Sequence, residues 1–370
     1  SMATGFEPLK EPGYYQEVIM QPNGEFLARY KIDDAQAASA GQIYKVDFNG
    51  DKKLEKITAV YGGNAINAAW RDAVDRGFDF AAVTIEYQDG YVKYNFKNAR
   101  MAAAPGYYGA YAIRYKIDEE KKKSKVAYFY NKQGEQFSTG LGCAQLLFTY
   151  DDKGALIKVG YANTNGERVT TTHKVYETRF KYDSGKKPIE IANYGKDDSL
   201  MVDVTGIAKT TYKMDDKGRV TEARHFGSDE SLKEKNTPKL QADRVLTAIS
   251  AGAITKYTYD GDNMMPVKIA FYGKDDQSLG IKSWGNIASY KFKYTKERNI
   301  SEVSTYGADD TPIAIDRDTL GDNVVKLVMT YDDFGNPVKI SFYGKDDNMV
   351  VASKLNAAEC RRKYDDKRRH

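Results

Sequence analysis

The groups in this sequence whose types and spacing could do chemistry are paired carboxylates, three histidines and a recurring aromatic-glycine step. Asp197-Asp198, Asp275-Asp276, Asp309-Asp310 and Asp346-Asp347 return at equivalent points of a repeat. Stacked at repeat spacing, such oxygen ligands could bind Ca²⁺. Asp is also favoured in tight turns, because its carboxylate bonds nearby backbone N–H groups, and repetition supports that reading. Asp47-Phe48-Asn49-Gly50-Asp51 resembles the start of a calcium loop, but Thr58 stands where such a loop needs a bidentate Glu. No metal site is expected.

A catalytic carboxylate pair should be unique, so carboxylates repeated in turn after turn argue against glycosidase chemistry. Histidine occurs only at His173, His225 and His370. His225 takes a place that Phe271 and Phe342 take in other repeats, and reads as a packed side chain. His173 lies in a Thr-rich connector, and His370 is terminal. The sequence holds no Gly-x-Ser-x-Gly elbow, phosphate-binding P-loop or His-Glu-x-x-His. The expectation is a protein without catalytic residues or cofactor, hence not an enzyme.

The aromatic residues of the Tyr-Gly and Phe-Gly steps are the candidate binding residues: Tyr194, Phe226, Tyr272, Tyr306 and Tyr343. By alternation they share a face with Glu190, Glu222, Lys268, Glu302 and Lys339. Exposed rows of rings can bind sugars or extended polymers by stacking. They can equally serve the sheet, since cross-strand aromatic pairs contribute roughly 0.2–1 kcal/mol each.

These residues must be positioned by a repeat. Its lead residue falls at Tyr150, Tyr182, Met214, Tyr259, Tyr294, Tyr331 and Tyr364, and the aromatic-glycine step follows about twelve residues later. The constant gap marks a hairpin of fixed length, and the variable connector absorbs insertions. Counting back from Tyr272, Phe271, Ile269 and Val267 alternate with Ala270 and Lys268. Counting back from Tyr343, Phe342, Ile340 and Val338 alternate with Ser341 and Lys339. Period-two alternation predicts strands with one apolar and one polar face. Asp-Asp-x-Gly supplies the turn, and a one-residue slip would bury every Lys and Glu. The fold class expected is all-β: tandem hairpins in an elongated or spiralling antiparallel sheet.

Two stretches read as helices. In residues 64–76, Ile66, Ala69, Trp70 and Ala73 have helical spacing behind Asn64 as cap. In residues 237–250, Thr237 caps and Pro238 opens the first turn. The division expected is 1–140 as divergent N-terminal repeats or a cap, and 141–370 as the regular array. The alternative is a distinct N-terminal domain.

Tyr331-Asp332-Asp333-Phe334-Gly335-Asn336-Pro337, followed by Tyr343-Gly344, resembles the Tyr-Asp (YD, or RHS-type) repeats of bacterial surface and toxin proteins. The likeness runs from about residue 144 to the end. The unit here is longer and carries an added Tyr-Gly-x-Asp-Asp half. The resemblance implies a spiralling β-sheet acting as a shell or spacer, often at the cell surface, and brings no catalytic residues.

Bulk properties fit. Of 370 residues, 56 are Lys or Arg and 52 are Asp or Glu, a net charge of +4, too balanced for a nucleic-acid-binding stripe. The local excess, Arg361-Arg362-Lys363 and Lys367-Arg368-Arg369, reads as a solvated tail. Tyr is abundant at 29 against 2 Trp, as suits a pleated surface with wet hydroxyls. Cys143 and Cys360 read as buried free thiols. No membrane span or secretory signal is visible, while Ser1-Met2 has the form of a protease scar, which leaves room for a native leader trimmed away. The function expected is a noncatalytic repeat scaffold offering an extended surface to a macromolecular partner. That partner is another protein or an extended polysaccharide, not nucleic acid. The alternative is a carbohydrate- or cell-wall-binding module using the Tyr row. An extracytoplasmic or cell-surface location is favoured.

Overall fold

The alternating segments become strands. The computed structural model describes residues 6–72, 77–183, 188–238 and 249–364. Among them the only α-helix is Asp34–Ala37, closed by a capping box from Asp33 and Gln36; everything else regular is strand or one of two 3₁₀ turns, Tyr107–Gly109 and Lys282–Trp284. The protein is all-β. It divides into two compact units, one of residues up to 219 with 226–231, the other of residues 220–225 and 232 onward.

In the first unit successive antiparallel hairpins are Gln42–Phe48 with Leu54–Tyr61, Ala82–Gln88 with Tyr91–Lys97, Ala112–Asp118 with Lys123–Tyr130, Gln145–Tyr150 with Leu156–Ala162, and Glu177–Tyr182 with Pro188–Tyr194. In the second unit they are Ile254–Thr258 with Lys268–Tyr272, Ser289–Tyr294 with Ile300–Tyr306, and Lys326–Tyr331 with Pro337–Tyr343. Each hairpin joins the next through a short ladder, as Val126, Ala127 and Tyr128 pair with Leu147, Leu146 and Gln145. Strand addition at every step satisfies backbone groups that an isolated hairpin would leave bare.

One turn closes most hairpins. Asp151 N–H donates to Ala155 O, Gly154 N–H donates to Asp151 O, and the Asp151 carboxylate accepts from the N–H groups of Lys153 and Ala155. Asp215 and Asp332 repeat the arrangement. Gly154, Gly218 and Gly335 sit at φ of +80°, +71° and +80°, where a Cβ is costly. In the first hairpin Asn49 does the capping, and Lys52 occupies the left-handed place at φ +59°.

The lead tyrosine has a specific task. Its hydroxyl donates to a carbonyl at the start of the preceding hairpin's second strand: Tyr150 to Ser124 O at 2.6 Å, Tyr182 to Leu156 O at 2.9 Å, Tyr259 to Val220 O at 2.7 Å, Tyr331 to Ile300 O at 2.7 Å and Tyr364 to Pro337 O at 3.1 Å. Tyr294 does the same to Pro266 O. The tie also appears where the sequence repeat is faint, as Tyr87 OH donates to Leu54 O at 2.8 Å. Asp therefore shapes the turn and Tyr fastens one hairpin to the last.

The segment expected as a helix over 64–76 is not one. Asn64–Ala65 and Ala68–Asp72 are strands, and residues 73–76 lie outside the described residues. Ala68 and Trp70 both point inward, a period of two rather than 3.6. The Trp70 ring stacks on Phe80 at 4.5 Å and meets Tyr44 edge-on at 4.9 Å, while its Nε1–H donates to Phe80 O at 2.8 Å. Ala68 pairs with Phe80, and Arg71 pairs in parallel with Ile19. Edges on both sides outweigh the helical preference of an Ala-rich run, which amounts to under about 1 kcal/mol per residue. Of the second expected helix, residues 239–248 lie outside the described residues.

The first unit's core is continuous with a hairpin the repeat did not foretell, Gly13–Met20 with Phe26–Ile32. Tyr15, Val18, Met20 and Phe26 share one cluster with Phe96, Phe129, Phe148 and Phe180. Its tip is held by Asn23 Nδ2 donating to Tyr150 OH at 3.1 Å and by Tyr94 OH donating to Gly24 O. A Cβ on Gly24 would stand 2.8 Å from the Tyr115 ring. In the second unit Ile269 and Phe271 are fully buried with Ile287, Phe292 and Val303. Val267, Val338 and Ile340 are half-buried. Cys143 is buried, whereas Cys360 is only half-buried, because it lies in the short Glu359–Arg361 strand paired on one side.

Candidate functional site

Alternation places the Tyr-Gly and Phe-Gly rings on the polar side of the strands, and there each meets a cation. Arg179 lies 3.7 Å from the Tyr194 ring centre, Lys209 5.2 Å from Phe226, Lys256 4.3 Å from Tyr272, Lys291 3.8 Å from Tyr306 and Lys326 4.8 Å from Tyr343. The cations come from the hairpin's first strand. Arg179, Lys256 and Lys291 pair in register with Ala192, Ala270 and Ser304, two residues before the ring, while Lys326 stands directly opposite Tyr343. The residue beneath is small and buried: Ala192, Ala270, Ser304 and Ser341. That lets a long aliphatic stem lie across the strand while its charge reaches the ring.

The same cation takes an acid from the turn after the ring. Lys209 pairs with Glu230 at 2.7 Å, Lys256 with Asp276 at 2.9 Å and Lys291 with Asp310 at 3.6 Å; Arg179 pairs with Asp198 and Lys326 with Asp347. All five acids sit in the left-handed region, at φ between +59° and +65°. The preceding Asp does something else. Asp197, Asp309 and Asp346 accept from the backbone N–H and side chain of Ser199, Thr311 and Asn348. Those bonds hold the three carboxyls below the usual carboxylate range. Arg179 does the same for Asp198, and Lys209 for Glu230. The two acids of each pair thus face different partners.

All five rings are half-buried. Within the second unit one strand intervenes between successive ring-bearing strands, so rings recur at about 10 Å. The sequence signal missed was the cation: a Lys or Arg three or five residues before the lead residue, on the face that alternation assigns to the ring.

Asp47 to Asp51 form the first hairpin's end and turn, and Thr58 is buried in a strand. Among the described residues no group of three or more His, Cys, Asp and Glu is placed to hold a metal ion. His225 is 2% exposed, and burial, helped by the Lys235 charge, lowers its pKa to about 3. It is neutral at physiological pH. His173 is exposed in the turn closed by Thr171 and Val175. Residues 365–370, including His370, lie outside the described residues. No helix among the described residues is long and apolar enough to cross a membrane.

No family model matches the sequence, and no curated protein matches it. Among solved structures, the chain is similar to a Tc holotoxin pore of Photorhabdus luminescens (TccC3 mutant), at 12% identity and a TM-score of 0.30 over 83% of this chain and 17% of that one. It is similar to a TcdB2-TccC3 structure at 11% identity and a TM-score of 0.32, over 89% and 16%. A porin-like protein from Bacteroides uniformis follows at 10% identity and a TM-score of 0.23, over 90% and 94%. The chain spans less than a fifth of the toxin chains. TM-scores this low do not place two chains in one fold.

Proposed function

We propose that this chain is a noncatalytic hairpin-repeat scaffold of the Tyr-Asp type, whose polar face meets another macromolecule. One observation carries the reading: the same ring, cation and acid recur on the polar face of the hairpins, in two repeats of the first unit and three of the second, which suits an extended contact better than a single reaction centre. The hydroxyl tie between hairpins supports the Tyr-Asp assignment.

A protein partner is favoured over the sugar reading. A sugar stacks on an open ring face, and here a Lys or Arg lies over one face of each ring. Exposed Asp198, Asp310 and Asp347 beside those cations offer a mixed-charge surface, which gives protein pairs their specificity more than their strength. The test sets two variants against wild type in polysaccharide pull-downs and in crosslinking to co-expressed native neighbours. One carries Tyr272→Ala with Tyr306→Ala, the other Lys256→Glu with Lys291→Glu. Loss of one defined protein crosslink in both variants, with no polysaccharide retention that depends on the two tyrosines, is the expected result. Polysaccharide retention that depends on the two tyrosines would reverse the order of the readings.

A further inference from the structure

Like charges stand opposite each other at Lys158 and Arg179, Lys268 and Lys291, and Lys339 and Arg361, where at least one member of each pair takes an acid; at a fourth such pair, among the described residues, neither does. In the first unit Lys93 and Arg114 stand directly opposite each other on neighbouring strands, an arrangement that like charges make unfavourable. Lys97 lies on the same face of the Tyr91–Lys97 strand, and Lys132 in the turn that follows Tyr130. Together they line an open groove of about 390 Å³, with no carboxylate and no histidine in its lining. Glu86 pairs in register with Lys93 from the far side, yet among the described residues no ion pair joins them. Arg114 pairs with Tyr128, two residues before Tyr130, the place from which Arg179 and Lys291 take an acid four residues after the ring. Here the turn is Asn131-Lys132-Gln133-Gly134, with Gly134 in the acid's place.

The rest of the lining is polar. Gln88 and Asn95, whose amides have no side-chain partner among the described residues, line the groove with Tyr111 and Tyr130. The Arg114 guanidinium lies 3.7 Å from the Tyr91 ring centre, and its Nε is buried with no acceptor. A fixed guanidinium and three lysines favour a carboxylate, amides suit hydroxyl groups, and rings suit the apolar face of a sugar. We infer that this groove binds an acidic sugar chain, carboxylate towards Arg114 and Lys93, hydroxyls towards Gln88 and Asn95. The site is separate from the ring row and stands whether or not the row meets a protein.

Titration calorimetry of the full chain with oligogalacturonate at low salt tests it. Saturable binding is expected, weakened about tenfold or more by Arg114→Gln and by Lys93→Gln, weakened by Asn95→Ala, and unchanged by Lys293→Gln, a paired lysine of the second unit. Removing one of two opposed like charges should leave thermal stability unchanged or higher, so loss of binding would not reflect unfolding. Absence of binding, binding indifferent to Arg114→Gln, or tighter binding of tripolyphosphate or single-stranded DNA than of oligogalacturonate would overturn the inference.

Discussion

A single buried histidine sets a pH response at the residue scale. His225 has its folded pKa lowered to about 3, against about 6.5 for a free imidazole. Between those values the unfolded chain binds the extra proton. The histidine's contribution to stability is therefore fully present above about pH 6.5 and is lost as pH falls towards 3, with a slope near 1.4 kcal/mol per pH unit. His225→Phe, matching Phe271 and Phe342, should remove that slope, and denaturant titrations from pH 4 to 7 would show it. Equal slopes in the two proteins would refute the assignment. His225 was legible as a core residue, because alternation alone placed it opposite the polar face. Its depressed pKa was not, since burial depends on what covers the strand.

Turn and tie are properties of elements. Lys52 holds a left-handed conformation that Gly154 and Gly335 hold elsewhere, so Lys52→Gly should stabilise the protein by about 1 kcal/mol; thermal melts can detect this. Tyr331→Phe leaves Ile300 O without its hydroxyl donor and should cost about 1 kcal/mol, with no loss of ring packing. A cost near zero would mean that the tie is incidental. The Asp turns could be read from sequence because their chemistry is local. The Tyr tie could not, since it joins residues some 26 to 39 apart. Residues 64–72 show the reverse case: spacing of small and apolar residues suited a helix, and pairing with two strands made it sheet.

Within the whole molecule burial is uneven. The first unit packs Trp70, Tyr107, Phe80, Phe96 and Phe129 into one cluster, and the N-terminal hairpin covers its repeats. In the last hairpin of the second unit Leu327, Met329, Val338 and Ile340 are half-buried. In a repeat array local stability follows local contacts. Native-state amide exchange should therefore show stronger protection for residues 57–60 and 112–129 than for 326–343. Uniform protection across both stretches would contradict this account. Trp70→Ala should cost about 3–5 kcal/mol, read as a lost first-unit signal in the same experiment.

The sequence by itself determined the strand faces, the Asp-capped turns and the hairpin length, because each depends on neighbours within a dozen residues. Only the tertiary structure decided that Trp70 belongs to a strand, that residues 13–32 fill the first unit's core, and that a cation and an acid dress each ring. It also left Lys93 and Arg114 without an acid. Those outcomes turn on which strands lie side by side, and distant segments compete for edges and apolar cover on terms that local pattern does not record.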